Sequence, residues 1–429
     1  MLINETGIES QRLTETGRNQ CFGPRRYANV ELGPQLNLLK SIDQLTTIPS
    51  IFLRFPAKAF FFFNLRRDQE HTMSSYLCEE LIVEIFTRLP SKSLLRFRSL
   101  SQSFYSIICS TDFIRMHTFR SPQKLLLKHR NHYKNEDIEN FYTLHSEDQL
   151  ASCTSGRYIS ITPNHFPYNR YSYIVGSCNG ILCLCDYLKE NHVSLWNPSI
   201  RRNLNLADCP LRGSRIGFGF DPITDDYKIV SIPRYGGHAL GIAQSSFVYA
   251  MKRSANWRKI AFHASSSAYK VLPSACFVNG ALHWVVVERD SNNVKRFYIL
   301  TFDLSTDVFG RISLPEPSWE KRRVTTIQGS LAVISTKGDK SWIWIRRDAS
   351  WSVVYKLKKN KVGNVMEVLQ LNNNCDLLLR TYSARLRVYN PKTGAGSRLV
   401  DFKPASYVDD IVLFVERFQL LDRGIPDLS

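Results

Sequence analysis

Punctuation constrains this chain more than any other feature. From residue 123 onward no helical period persists, and turn signals interrupt short apolar runs roughly every eight to twelve residues, the mark of a sandwich, barrel or propeller. One unit joins a Gly-containing turn to an apolar strand. It occurs as Ser177-Cys178-Asn179-Gly180-Ile181-Leu182-Cys183-Leu184, as Val278-Asn279-Gly280-Ala281-Leu282-His283-Trp284-Val285 and, weaker, as Gln328-Gly329-Ser330-Leu331-Ala332-Val333. A last version, Asn373-Asn374-Cys375-Asp376-Leu377-Leu378-Leu379, lacks the glycine. Asn-Gly favours a tight hairpin because both residues tolerate positive φ. A second unit sets an aromatic residue before Asn or Asp and a turn, at Trp196-Asn197-Pro198-Ser199, Phe220-Asp221-Pro222, Phe302-Asp303-Leu304-Ser305 and Tyr389-Asn390-Pro391. The Asx side chain starts the turn by accepting from its own backbone. A third unit leads from an aromatic strand to a Trp-initiated one, Phe247-Val248-Tyr249 to Trp257 and Trp342-Ile343-Trp344 to Trp351.

Aligned on these marks, four-strand groups fall near 173–206, 215–261, 274–314, 324–357 and 366–401. Their lengths, roughly 40 to 50 residues, suit propeller blades. Strands before residue 173 and after 407 complete a further blade or close the ring, which removes unpaired edges. The blade number stays open.

Residues 73–122 read differently. Leu81, Ile82, Ile85, Phe86 and Leu89 recur at helical spacing behind Glu79 and Glu80, whose charge complements the helix start. Pro90 ends that helix. Ser91, Ser101 and Thr111 are placed to cap three more, carrying Leu94, Leu95 and Phe97, then Phe104, Ile107 and Ile108, then Phe113, Ile114 and Met116. So small a helical piece leans on a partner or a neighbouring domain.

The order Leu77-x-x-Glu80-Leu81-x-x-Glu84-Ile85, Arg88-Leu89-Pro90-x-Lys92-Ser93-Leu94-Leu95-Arg96, Ser101-x-Ser103-Phe104-Tyr105-x-x-Ile108 closely resembles the F-box. Cys78 stands where proline is common, Ser99 where cysteine is frequent and Phe104 where tryptophan is frequent. The remainder resembles the F-box-associated, kelch-like interaction domain found behind plant F-boxes, through Gly176 to Leu184, Gly217-Phe218-Gly219-Phe220-Asp221-Pro222-x-x-Asp225-Asp226-Tyr227-Lys228 and Gly280-Ala281-Leu282-His283-Trp284. The resemblance implies an α+β multidomain protein: a leader at 1–72, a helical F-box at 73–122 and an all-β propeller-like domain at 123–429. It implies a non-catalytic substrate receptor of a ubiquitin ligase. Leu77, Leu81, Ile85, Leu89, Pro90, Leu94 and Leu95 would dock a Skp-type adaptor and, through it, cullin. The propeller would hold a target protein, with no cofactor.

Net charge is +18, and residues 123–429 carry 41 basic against 27 acidic side chains. That excess favours anionic partners. Its densest run is Lys356-Leu357-Lys358-Lys359-Asn360-Lys361, expected as a solvated inter-blade loop. The ten cysteines are scattered without a C-x-x-C pair, which predicts a reducing compartment, nucleus and/or cytoplasm. Cys183 and Cys185 share a strand face and read as core thiols rather than metal ligands.

The leader resembles nothing recognisable, and is expected to be disordered or a gene-model extension with Met73 as the natural start. Arg54, Pro56 and Lys58 interrupt its apolar run, leaving it too short and too charged to span a bilayer. No G-x-S-x-G elbow, P-loop, H-E-x-x-H or dinucleotide fingerprint occurs. Asp225-Asp226 reads as turn chemistry and His283 as a core or rim residue. The competing classes are a basic nucleic-acid-binding propeller, disfavoured because the cations are dispersed, and a glycan-binding one.

Overall fold

The structure is a computed structural model that describes residues 78–130, 140–147, 159–161, 172–186, 191–236, 245–254, 256–262, 269–315, 321–370, 376–383, 385–400 and 407–417. The leader, Leu77 and residues 371–375, which include Asn373-Asn374-Cys375 of the expected last turn unit, lie outside the described residues. Helices and strands belong to one compact unit that begins at Leu77.

Among the described residues four short helices come first: α1 (Glu79–Thr87), α2 (Ser91–Arg98), α3 (Gln102–Cys109) and α4 (Thr111–Arg120). Their caps differ in part from expectation. Ser101 caps α3 by accepting from Phe104 N at 3.1 Å, as expected. Ser110, not Thr111, caps α4, accepting from Phe113 N at 3.2 Å. Ser91 is the first helical residue of α2 rather than its cap, because Pro90 already occupies the extended cap position.

The strands form six sheets, one per propeller blade. Blade 2 is β4 (Ser172–Cys178), β5 (Ile181–Asp186), β6 (Val193–Asn197) and β7 (Arg202–Asn205). Blade 3 is β8 (Ser214–Asp221), β9 (Asp226–Pro233), β10 (Ser246–Ala250) and β11 (Trp257–Ile260). In blade 4 the inner strand is split into β12 (Tyr269–Val271) and β13 (Cys276–Val278), both paired with β14 (Ala281–Arg289), followed by β15 (Lys295–Asp303) and β16 (Val308–Ser313). Blade 5 is β17 (Lys321–Ile327), β18 (Ser330–Lys337), β19 (Lys340–Arg347) and β20 (Ser350–Lys358). Blade 6 is β21 (Val365–Gln370), β22 (Leu377–Thr381), β23 (Leu386–Tyr389) and β24 (Arg398–Leu399).

Blade 1 joins the two ends of the propeller. Strands β1 (Gln123–Arg130), β2 (Asn140–Ser146) and β3 (Ile159–Ile161) supply its outer part, and β25 (Tyr407–Val415) its inner strand. The open alternative of a further blade or a ring closure is thus resolved as both at once. Six apolar clusters follow, one for each pair of neighbouring blades. Alternate side chains of one strand serve two of them: Leu125 and Leu127 of β1 pack toward blade 6, Leu126 toward blade 2. Burial on both faces is why these strands read as continuous apolar runs.

The recurring turns have a common geometry. Asn179-Gly180, Asn279-Gly280 and Gln328-Gly329 all carry positive φ at both residues, the conformation of a two-residue hairpin. The Gly217-Phe218-Gly219 stretch has a different cause. A Cβ on Gly217 would collide with Trp284, and one on Gly219 with Phe277, so these glycines let blade 4 approach the inner strand of blade 3. The Trp-initiated strands stitch blades together. Trp257 Nε1 donates to Ala207 O beyond the last strand of blade 2 at 2.7 Å, and Trp351 Nε1 to Ser313 O on the last strand of blade 4 at 2.8 Å.

Candidate protein-docking surfaces

The helical module packs Phe86, Leu94, Ile107, Ile108 and Phe113 around Ile200 of the β6–β7 turn. Phe104, at the position where tryptophan is frequent, stays in that packing, with its ring centroid 5.0 Å from Phe86 and 6.4 Å from Phe97. The helices therefore sit at the end of the ring that carries the β4–β5 and β6–β7 turns. The end bearing the β14–β15 and β18–β19 hairpins lies opposite.

Two polar clamps fix α1 against α4. Glu84 pairs with Arg88 and Arg120, each at 2.8 Å. Burial pushes the Glu84 carboxyl up, but the two guanidiniums outweigh it and leave it below the usual carboxylate range. His117 Nε2 donates to Leu89 O at 2.9 Å, which holds the α1–α2 corner in place.

Of the docking residues expected from sequence, Leu81, Ile85, Leu89 and Leu95 are half-buried and Pro90 is exposed. Ile85, Leu89 and Leu95 pack their inner sides on the helical core. Leu94 differs from expectation. It is fully buried and belongs to the module's own core, so it has no surface to offer a partner. Sequence reasoning overlooked outward apolar groups on the same module, chiefly Phe119 at 93% exposure on α4 and Leu100 at 57% just after α2. Met116, grouped by sequence with Phe113 and Ile114 on α4, faces outward at 41% exposure while Phe113 is buried.

Within the ring the polar residues singled out by sequence are structural. Asp226 accepts from Lys252 N and Arg253 N, and Asp225 pairs with Lys252. His283 is buried, with Nδ1 3.3 Å from Cys276 O, and burial lowers its pKa. Burial raises the Cys183 thiol well above its ordinary range. Among the described residues, no group of three or more His, Cys, Asp or Glu side chains could hold a metal ion, and no helix is long and apolar enough to cross a membrane. The Lys356–Lys361 run is less uniform than a solvated loop. Its lysines are exposed, but Leu357 is buried in the seam between blades 5 and 6, beside Val362.

Residues 74–116 match the F-box domain, and residues 126–379 match the F-box associated beta propeller domain. Among curated relatives, F-box protein At1g52495 of Arabidopsis thaliana is 28% identical over 64% of this chain and 66% of its own length. F-box/kelch-repeat protein At3g23880 of the same plant is 26% identical over 73% of this chain and 88% of its own. F-box protein At3g07870 is 27% identical over 74% and 86% respectively. The chain thus spans just under two thirds of the first of these relatives.

Proposed function

Since this chain belongs to the F-box proteins that carry an F-box associated β-propeller domain, we propose that it recruits target proteins to a ubiquitin ligase through a Skp-type adaptor and cullin. One observation carries the reading. The α1–α2 corner keeps Leu81, Ile85, Leu89 and Leu95 half-buried and Pro90 exposed, although the helical core beneath them is closed by Leu94, Phe86 and Ile108. A second protein that covers this aliphatic corner removes its remaining apolar surface from water, and such a desolvated cluster carries most of the affinity in a helix-in-groove contact. The ring then presents the target. The chain performs no bond chemistry in this scheme. It raises the local concentration of a target lysine near a ubiquitin thioester held by another subunit. The nucleus and/or cytoplasm is the proposed location.

Co-purification of a Skp-type adaptor with the full chain tests this. Leu89→Asp combined with Leu95→Asp should abolish it. Because both residues also support the helical core, Leu81→Glu serves as a second variant, and circular dichroism verifies that the propeller stays folded. Undiminished adaptor recovery with both variants rules the docking assignment out.

A further inference from the structure

At the ring end opposite the helices, blades 4 and 5 direct cations into the seam they share. Strand register fixes which side chains share a face. Lys337 lies opposite Lys340, and Lys340 opposite Lys358, so three lysines form one row across β18, β19 and β20. Directly opposed Cβ atoms are only about 5 Å apart, and like charges in that relation are destabilising. Lys340 and Lys358 form no ion pair with a described carboxylate. Two residues further along, on the same face, run Arg322, Ser335, Trp342 and Lys356. That face looks toward blade 4, since Val324 and Val333 continue it into the apolar cluster between the two blades.

Blade 4 answers with cations of its own. Phe297 and Val287 lie opposite one another, as do Arg289 and Lys295 two residues beyond, and Phe297 packs in the same cluster between the blades. Arg322 lies on the same face, two residues along the strands from the lysine row. It is 4% exposed, its guanidinium carbon lies 3.8 Å from the centre of the Phe297 ring, and both terminal nitrogens are buried without a hydrogen-bond partner. Elsewhere in the ring, buried cations have acceptors: Lys228 reaches Asp221 and Asp307, and Arg380 reaches Glu367. An arginine whose two terminal nitrogens leave four donors unpaired in a buried position is costly, and an anion that reaches it restores the missing bonds.

We propose that the seam between blades 4 and 5 binds an acidic segment of a partner protein, with carboxylates on the Lys337–Lys340–Lys358 row and on Arg322. In an extended peptide, alternate side chains repeat about every 6.6 Å, the same step that separates Lys356 from Lys358 along β20. The chemistry of the seam favours peptide over nucleic acid. Single strands bind through exposed aromatic platforms as well as charge. Here Phe297 is covered by Arg322, Trp342 on the same face is half-buried, and among the described residues the large exposed apolar side chains of blades 4 and 5 are Val294, Val308 and Val354. The inference rests on the target-recruiting reading of the ring but is tested apart from adaptor docking.

The test is fluorescence anisotropy of the full chain with a labelled peptide of alternating Glu and Ala, about twelve residues long, at low and high salt, beside an oligo-uridine of equal charge. Peptide binding should weaken with salt, and Lys340→Glu with Lys358→Glu should weaken it by at least about tenfold. Arg322→Met should weaken it as well. Arg253→Glu, at the opposite end of the ring, should leave it unchanged, and so should Leu89→Asp with Leu95→Asp. Equal peptide affinity in the wild type and the Lys340/Lys358 variant overturns the proposal, as does tighter binding of oligo-uridine than of peptide. Peptide binding without adaptor recovery sinks the ligase reading alone; adaptor recovery without peptide binding sinks the seam proposal alone.

Discussion

Two seams of the ring each bury an arginine, and they treat its charge in opposite ways. At the seam of blades 6 and 1, Arg380 is 8% exposed, pairs with Glu367 at 2.8 Å and donates to Asp409 O across the seam. Burial works against its charge, yet Glu367, Asp410 and Asp409 more than offset it and raise its pKa. On the other side of β25, Asp410 accepts from Ile174 N of blade 2 at 3.2 Å, and Lys128 lies 3.9 Å from Asp409. At the seam of blades 4 and 5, Arg322 has only the Phe297 face, and burial pushes it down to about 10. A buried cation held by a carboxylate and a carbonyl is a fastener. One whose bonds are missing is a position held open, and only the first kind should matter to the stability of the ring.

The largest test of this contrast removes the fastened seam. A chain ending at residue 406 lacks β25, so β1 loses one of its two neighbours and the ring gains free edges. Loss of the cooperative propeller transition in calorimetry is the expected result, and a retained transition would mean that closure is dispensable. Next comes the pair Arg380→Met and Arg322→Met. Stranding Glu367 and Asp410 should cost about 3–5 kcal/mol in denaturant unfolding, whereas deleting an uncompensated buried charge should cost under about 1 kcal/mol or stabilise the fold. Equal losses at the two sites would break the comparison. The smallest effect sharpens it. Trp257→Phe and Trp351→Phe each remove one indole bond between blades, on seams 2/3 and 4/5, and each should cost about 1 kcal/mol. A much larger loss at Trp351 would mark the seam of blades 4 and 5 as structurally dependent on that bond.

Much of this architecture is legible in the amino-acid order. Asn179-Gly180 and Asn279-Gly280 announce their hairpins because few dipeptides tolerate positive φ twice, and the Asx turns at Asn197 and Asp303 form as their chemistry dictates. The number of blades was not legible, because blade 1 pairs Leu125 with Leu413 and no local pattern reports so distant a partner. Nor was the break in the inner strand of blade 4, between Val271 and Cys276, where Ser274 takes positive φ. In the helical module, spacing marked Leu94 and Leu95 together. Neighbours on a helix differ by about 100° of rotation, so one falls inward and the other toward the surface, and the sequence alone does not say which. The cationic face was hidden for a related reason. Its members come from separate strands of two blades, and only their register brings them to one face; the lysine-rich run at 356–361 stood out at once, but it supplies only Lys356 and Lys358.

The junction between α4 and β1 has a mechanical consequence. Two residues separate Arg120 from Gln123, and β1 is hydrogen-bonded to β2 on one side and β25 on the other. Tension applied to the helices therefore runs along the axis of a strand gripped from both flanks, so it must shear both ladders together instead of peeling them apart one rung at a time. Cargo held on the far rim would be carried by a stiff handle, not swung on a loose cord.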